Sequence, residues 1–234
     1  MTPTIQFHLD KQADIENWYS SINSISYGMN WSNIIPIEIY EDIQWKSEIL
    51  QKEIIEKHIN TIYLKHNLKD IILSYNKRRE NNNKKLRDKM EIFIGKSFPI
   101  DTINVYITTI SRCPYNPQKR SCMYCPFREW KPRLNPTNTI NTILHETLHM
   151  MVHYYYEDYI KSKWLPNNEF HDLKEAQTII LNTEYKDVLP RPDNGYNSHQ
   201  SLRKKLETYR INNKNFDQFI DYWISLKKEW NYLD

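Results

Sequence analysis

Glycine is scarce in this sequence, which contains only Gly28, Gly95 and Gly195 among its 234 residues. Glycine-rich loops that cradle phosphate groups and all-β folds with many tight turns both require more of it. The scarcity therefore argues against a nucleotide-binding loop and against an all-β fold.

Cysteine is also scarce, since Cys113, Cys122 and Cys125 are the whole complement. An odd and small number suits a reducing compartment better than a disulfide scaffold. Cys122 and Cys125 form a C-x-x-C pair that, together with Cys113, could bind a second, structural metal ion, but reduced thiols or one disulfide are the simpler interpretations. The N-terminus shows no basic segment followed by an apolar run, so we expect a cytoplasmic protein.

Long apolar runs and a strong charge imbalance are missing as well. No stretch approaches the ~20 apolar residues that span a bilayer. The net charge is only +3, and Lys and Arg are spread along the chain, which is not the footprint of a nucleic-acid-binding surface. We therefore expect neither a membrane nor a nucleic acid as a partner.

What the sequence does contain is typical of a folded protein, with 39% hydrophobic and 13% aromatic residues. From about residue 11 to residue 98, apolar residues recur at steps of three and four, as they do in packed helices. Residues 103–110 are rich in β-branched side chains and alternate in polarity, as in a strand. We predict an α+β fold that is mostly helical with a small β-sheet, in which a helical N-terminal region, 1–98, packs on a second part, 99–234, in one compact unit.

The rest of the chain is predicted to be an irregular segment followed by helices. Residues 111–138 hold many of the prolines and all three cysteines, so we expect no regular element there. Thr137 or Asn138 then caps a helix whose apolar positions continue to Tyr159. Further helices are predicted over residues 168–184, 198–210 and 216–230, with a turn at 192–195.

One motif on the helix after Asn138 indicates chemistry, because residues 145–149, His-Glu-Thr-Leu-His, match H-E-x-x-H. Residues four apart lie on one helix face, so His145 and His149 can reach a single Zn²⁺ at about 2.0–2.1 Å each, while Glu146 points beside them to activate water. The competing interpretation is a pair of surface histidines that bind nothing. The apolar helix around the motif, the strand upstream and the acidic helix downstream favour the metal site.

With these elements, residues 100–200 resemble the zincin metallopeptidases. A metzincin would carry a glycine and a third histidine where Val152 and Tyr155 stand, so the chain resembles the gluzincin branch instead. In that branch a glutamate on the next helix completes the zinc site. The segment around Glu175 is similar to the Glu-Ala ligand segment of small gluzincin-like proteins.

Two glutamates compete to be the third ligand. Glu175 is the first choice by that resemblance, while Glu169 lies in an Asn-Glu pair that resembles the ligand segment of thermolysin-like enzymes. A helical wheel places Glu169 on the apolar face and Glu175 on the opposite side, although a helix packed on both sides need not show one apolar stripe. His153 is more typical of a packing residue, and His171 and Asp172 are candidates for orienting the ligands.

The resemblance implies a zinc-dependent peptidase that acts on a peptide or protein. His145 and His149 would bind the Zn²⁺ with the glutamate, and Glu146 would serve as the base. Tyr196 and His199, just after the predicted turn, are candidates to stabilise the oxyanion, because gluzincins often place such a residue there.

The resemblance also implies that the strand at residues 103–110 is the sheet edge that pairs with an extended substrate. Two other functions stay open. One is a non-catalytic zinc-binding scaffold. The other is a helical interaction module that binds a partner through residues 11–98.

Overall fold

The computed structural model describes residues 3–26, 28–78, 83–128, 131–132, 136–163, 167–187, 189 and 191–230. The fold is α+β, as predicted, because most of these residues are helical and the strands are few and short. The strands are β1 (Thr4–His8), β2 (Ile25–Ser26), β3 (Met29–Asn30), β4 (Thr102–Ile107), β5 (Tyr115–Asn116), β6 (Ser121–Tyr124), β7 (Phe127–Arg128) and β8 (Lys131–Pro132). The α-helices are α1 (Lys11–Ile22), α2 (Ile37–Ile43), α3 (Glu48–Lys65), α4 (Leu68–Arg78), α5 (Asn83–Ile94), α6 (Pro136–Ser162), α7 (Asn167–Gln177), α8 (Ile180–Glu184), α9 (Gln200–Asn212) and α10 (Phe216–Trp230).

Packing divides the chain into two compact units. The sheet unit comprises Thr4–Asn81 and Thr102–Ile143, and the helical unit comprises Met1–Pro3, Asn82–Asp101 and Leu144–Asp234. The domain boundary expected after residue 98 stays a prediction. Both units draw on chain from either side of it.

The sheet unit is built around a four-stranded sheet in the order β1-β4-β6-β5. β4 runs parallel to β1 and to β6, whereas β5 runs antiparallel to β6. Ile103, Val105 and Ile107 of β4 are fully buried and alternate with less buried residues. This is the period-two pattern of a strand with one face in the core.

Two predictions for this region are wrong. β4 pairs on both sides, so it is not a sheet edge that an extended peptide could join, and the outer strands of the described sheet are β1 and β5. Residues 111–138 are not wholly irregular, since β5 to β8 lie there. β5 pairs with β6 and β7 with β8 inside this segment, and β6 also pairs with β4. A proline-rich composition does not reveal such pairing.

β4 ends at Ile107, three residues before the predicted end, and the chain then turns to the carboxylate of Asp14. Thr108 Oγ1 donates a hydrogen bond to Asp14 Oδ1 at 2.6 Å, and the N–H and Oγ1 of Thr109 donate to the two carboxylate oxygens at 2.9 and 2.8 Å. Tyr63 donates a longer bond of 3.3 Å. Asp14 is fully buried, so this cluster fixes α1 against the end of β4.

The helical unit contains α5, the greater part of α6, and α7 to α10. The rings of Phe93, Tyr156, Tyr185 and Phe216 pack against one another. Tyr185 also donates a hydrogen bond to the Leu86 carbonyl at 2.6 Å. These contacts hold α6, α10 and the end of α8 around α5.

The helices predicted for the second half are present with adjusted ends. α6 begins at Pro136. Proline suits the first helical position because an N–H group there would have no partner within the helix, so its absence costs nothing. The predicted helix at 168–184 is two helices, α7 and α8, and α10 covers the predicted residues 216–230. None of the described helices has both the length and the apolar character that crossing a bilayer requires.

We expect the carboxyl group of Asp14 to make the protein less stable as the pH rises from about 4 to about 7. Burial raises the pKa of Asp14 from 3.8 to about 6, against the hydrogen bonds from Thr108, Thr109 and Tyr63, which lower it. Since the folded-state pKa exceeds the unfolded one, the folded protein binds this proton more tightly, and the resulting stabilisation is lost as the pH rises through 6.

Urea denaturation between pH 4 and 7 measures this slope. Asp14→Asn should remove a decrease of up to about 3 kcal/mol in the free energy of unfolding between pH 4 and 7, since each pKa unit corresponds to about 1.4 kcal/mol. Asp187→Asn, at an exposed position, is the control. An Asp14→Asn variant with the slope of the wild type would contradict the assignment.

Candidate metal centre

Two histidines lie on one face of α6. His145 and His149 are one turn apart, and their rings meet edge to face with centroids 4.5 Å apart. The His149 side chain is 1% exposed and that of His145 is 19% exposed. Their Nε2 atoms are 3.0 Å apart, so both rings direct the same nitrogen toward one point.

Glu175 on α7 completes this group. Its Oε2 lies 3.3 Å from His145 Nε2, and its Oε1 lies 3.2 Å from His149 Nε2. In a tetrahedral zinc site with bonds of about 2.0–2.1 Å, ligand atoms are separated by about 3.3 Å. The three separations therefore match the edges of such a site. Within the described part of the chain, this is the one group of three or more side chains that could hold a metal ion.

The charges of this group favour one cation at its centre. Burial lowers the pKa of His149 to about 4, so the ring is neutral and its Nε2 can act as a ligand. Burial raises the pKa of Glu175, but His149 and His145 outweigh it and hold that pKa well below its usual value. Burial lowers the pKa of His145, but Asp193 and Glu175 outweigh it and hold that pKa well above its usual value. A proton on His145 or a metal ion can supply the positive charge that the buried carboxylate requires.

Asp193 determines which nitrogen of His145 faces this centre. Its Oδ2 lies 2.6 Å from His145 Nδ1, and a ring that donates Nδ1–H to it keeps Nε2 for a metal. A carboxylate on the far nitrogen is the usual support of a metal-binding histidine. Asn182 holds the Asp193 backbone with two hydrogen bonds of 2.7 and 2.9 Å. Burial raises the pKa of Asp193, but His145 and Arg203 outweigh it and hold that pKa well below its usual value.

Glu146 is adjacent to this group and is not one of its three members. Its side chain is buried. Burial raises the pKa of Glu146 to about 8, and the charge of His145 opposes this rise while that of Glu175 adds to it. A carboxyl group with a pKa near neutral pH can accept a proton and return it.

The two residues predicted to stabilise an oxyanion lie just before α9 or at its N-terminus. Tyr196 and His199 pack edge to face with ring centroids 5.6 Å apart. His199 is buried, and its Nε2 lies 3.4 Å from Asp172 Oδ1. Burial lowers the pKa of His199, whereas Asp172 and Glu175 raise it. The role of these two residues stays a prediction.

The other residues considered from the sequence take different positions. Glu169 belongs to the first turn of α7, and its side chain lies outside the described residues. His153 Nε2 lies 2.7 Å from Glu157 on the same helix, as expected of a histidine that is not a ligand. His171 Nδ1 lies 3.4 Å from Lys174 Nζ.

The cysteines take no part in this site. Cys113, Cys122 and Cys125 form no disulfide. Among the described residues they also belong to no metal-binding group. The role of the three cysteines stays a prediction.

Three residues of the site were missed in the sequence: Lys174, Asp193 and Arg203. An Asp-Asn-Gly segment is typical of a turn, and nothing local shows that Asp193 returns to a histidine 48 residues earlier. Lys174 is 2% exposed, and burial lowers its pKa against the charges of Glu175 and Glu146. A lysine next to a predicted ligand is the only signal that the sequence offers for it.

If this group binds Zn²⁺, we expect His149→Ala to weaken that binding. The substitution removes one of three converging ligand atoms. Loss of a residue that only supports a ligand lowers metal affinity by about 10–100-fold, so the loss of a ligand itself should lower the affinity for Zn²⁺ by more than that. Competition with a chromophoric chelator measures the affinity. His153→Ala, the same change one turn further along α6, is the matched control and should bind as the wild type does. Equal affinities for the two variants would contradict the assignment.

Comparisons with family models, with curated proteins and with solved structures give no match. Function has therefore to be inferred from the side chains of this chain. The inference depends most on the side chains of His145, His149 and Glu175, which converge next to Glu146.

Proposed function

We propose that this protein is a zinc-dependent metallopeptidase, as its resemblance to the gluzincins implies. The observation that supports the proposal best is the triangle of ligand atoms from His145, His149 and Glu175, with separations of 3.0–3.3 Å. A buried carboxyl group, Glu146, stands next to it. A metal-binding triangle and an adjacent base are the two parts that metal-assisted hydrolysis requires.

Zinc is the metal that the donor set favours. Catalytic zinc sites use three protein ligands of the imidazole and carboxylate types and leave a fourth position open, whereas magnesium and calcium prefer oxygen ligands in larger number. When bound, zinc would polarise the carbonyl group of a substrate and lower the pKa of water. His145 and His149 would hold it through Nε2, and Glu175 through its carboxylate.

Glu146 is assigned the role of general base and then general acid. It would take a proton from the attacking water and give it to the leaving amine. Its position supports this role, because a general base must lie within hydrogen-bond reach of the water that it activates, and Glu146 is next to the ligand His145. Burial raises the pKa of Glu146, and the charge of a bound metal ion would lower it again, so that the carboxylate could accept a proton from water.

A hydrogen-bond donor for the developing oxyanion is assigned to His199 or Tyr196. Burial lowers the pKa of His199 despite the Asp172 carboxylate beside it, and a neutral imidazole still carries one N–H donor. Tyr196 packs on the His199 ring and carries a phenolic O–H. Either group could donate to a substrate oxygen.

The proposal includes a peptide or protein substrate and a cytoplasmic location. An amide carbonyl is the group on which a bound zinc and a carboxylate base act in peptidases. Three cysteines without a disulfide agree with a reducing compartment.

Glu146→Gln should abolish peptide hydrolysis and leave zinc binding intact. The amide cannot accept the proton of water, so the turnover number should fall by at least about 10²–10⁴-fold, while all three ligands remain. Turnover of a mixed peptide library by mass spectrometry, with and without chelator, measures the effect. Glu157→Gln, the same change on the same helix away from the ligands, is the control.

Three results would contradict parts of this proposal. An active Glu146→Gln variant would remove the base assignment. A wild-type protein that binds zinc and cleaves no peptide would favour a zinc-binding scaffold. A wild-type protein that binds no zinc would favour a helical interaction module.

A further inference from the structure

Arg203 on α9 lies at the centre of a buried network behind the ligands. The residue is 1% exposed. Its Nη2 donates hydrogen bonds to the Asp193 carbonyl at 2.5 Å and to Asp193 Oδ1 at 2.9 Å. Its Nη1 donates to Thr178 Oγ1 at 2.8 Å and, at longer distances of 3.3 and 3.5 Å, to the carbonyls of Glu175 and Ala176.

This network contacts both sources of metal ligands. Through Asp193, which accepts from Arg203 with one carboxylate oxygen and contacts His145 Nδ1 with the other, Arg203 acts on the ring that α6 provides. Through the carbonyls of Glu175 and Ala176, it acts on the end of α7. These two carbonyls also accept from the backbone N–H groups of Thr178 and Ile179. The carbonyl end of a helix carries partial negative charge, so a buried guanidinium suits this place.

Gly195 leaves the space that the guanidinium occupies. A Cβ at this position would lie 2.6 Å from Arg203 Nη1, 2.7 Å from Cζ and 2.8 Å from Nε. The backbone at Gly195 also has a positive φ of 58°, which side chains other than glycine rarely adopt. At Gly28 and Gly95, by contrast, φ is also positive but a Cβ would meet nothing within 4 Å.

We propose that Arg203 is a positioning residue of the metal centre, which fixes His145 through Asp193 and Glu175 through the end of α7, and that Gly195 is required to admit it. The inference rests on the metal site of the proposed function. The planar guanidinium bonds to side-chain and backbone oxygens in several directions at once, which the single ammonium of a lysine cannot reproduce.

Gly195→Ala tests this role without altering any charge or any ligand. Displacing the guanidinium loosens both anchors, so the affinity for Zn²⁺ should fall by about 10–100-fold, as it does when a supporting residue is lost. Gly95→Ala is the matched control, because it introduces the same unfavourable φ in the same unit with an unobstructed Cβ, and its affinity should be that of the wild type. Competition with a chromophoric chelator measures the affinity, and thermal denaturation of the metal-free variants shows that they are folded.

Two further variants separate positioning from general stability. Arg203→Lys keeps the charge and should still lower zinc affinity at a temperature where the protein is folded; it carries the test if Gly195→Ala does not fold. In an Asp193→Asn background, Gly195→Ala should cost less affinity than it does in the wild type, because part of its effect acts through Asp193.

The outcomes distinguish this inference from the proposed function. If the wild type binds zinc and Gly195→Ala and Arg203→Lys bind it equally well, the positioning role is wrong and the metal site stands. If the fold-losses of zinc affinity from Asp193→Asn and Gly195→Ala multiply in the double variant, the two substitutions act independently. Arg203 then does not act through Asp193, and the proposed link to His145 is wrong. If the wild type itself binds no zinc, the proposed function fails first.

Discussion

The convergence of two imidazole nitrogens and one carboxylate at a buried point is the interaction on which the site depends. Such a group is costly to bury without a positive charge at its centre, and His145, His149 and Glu175 surround one point at distances that suit a zinc ion. The elements around them follow from this requirement. α6 provides two ligands from one face, α7 provides the third, and the loop that carries Asp193 sets the orientation of the first ring.

The sequence predicts the α6 part of this site because spacing along a single helix is a local property. His145 and His149 are four residues apart, so the helix alone brings them together. The α7 part is harder to predict. The helical wheel favours Glu169 because it assumes one apolar face, but residues 173–178 are all buried, so the face of Glu175 is not a solvent face. Resemblance to a ligand segment points to Glu175, which lies beside the two histidines, whereas the side chain of Glu169 is outside the described residues.

The same distinction between local and distant interactions explains how far the fold is predictable. Apolar repeats mark the helices well, and α10 has the predicted ends. The sheet order depends on pairing such as Thr4 with Thr102, which no local pattern specifies, so β1 and the short strands after β4 were missed and β4 was placed at an edge. Asp193 was missed for this reason too, because its turn signal is local and its contact with His145 is not.

The members of the metal centre come from segments about thirty and fifty residues apart, and this spacing has a thermodynamic consequence. Only the folded chain brings these residues together. In the unfolded chain they are far apart, so a cation binds them more weakly. By mass action, an ion present at 100 times its dissociation constant would add about 2.7 kcal/mol to the free energy of unfolding. The lifetime of the folded molecule would then follow the availability of metal in its surroundings.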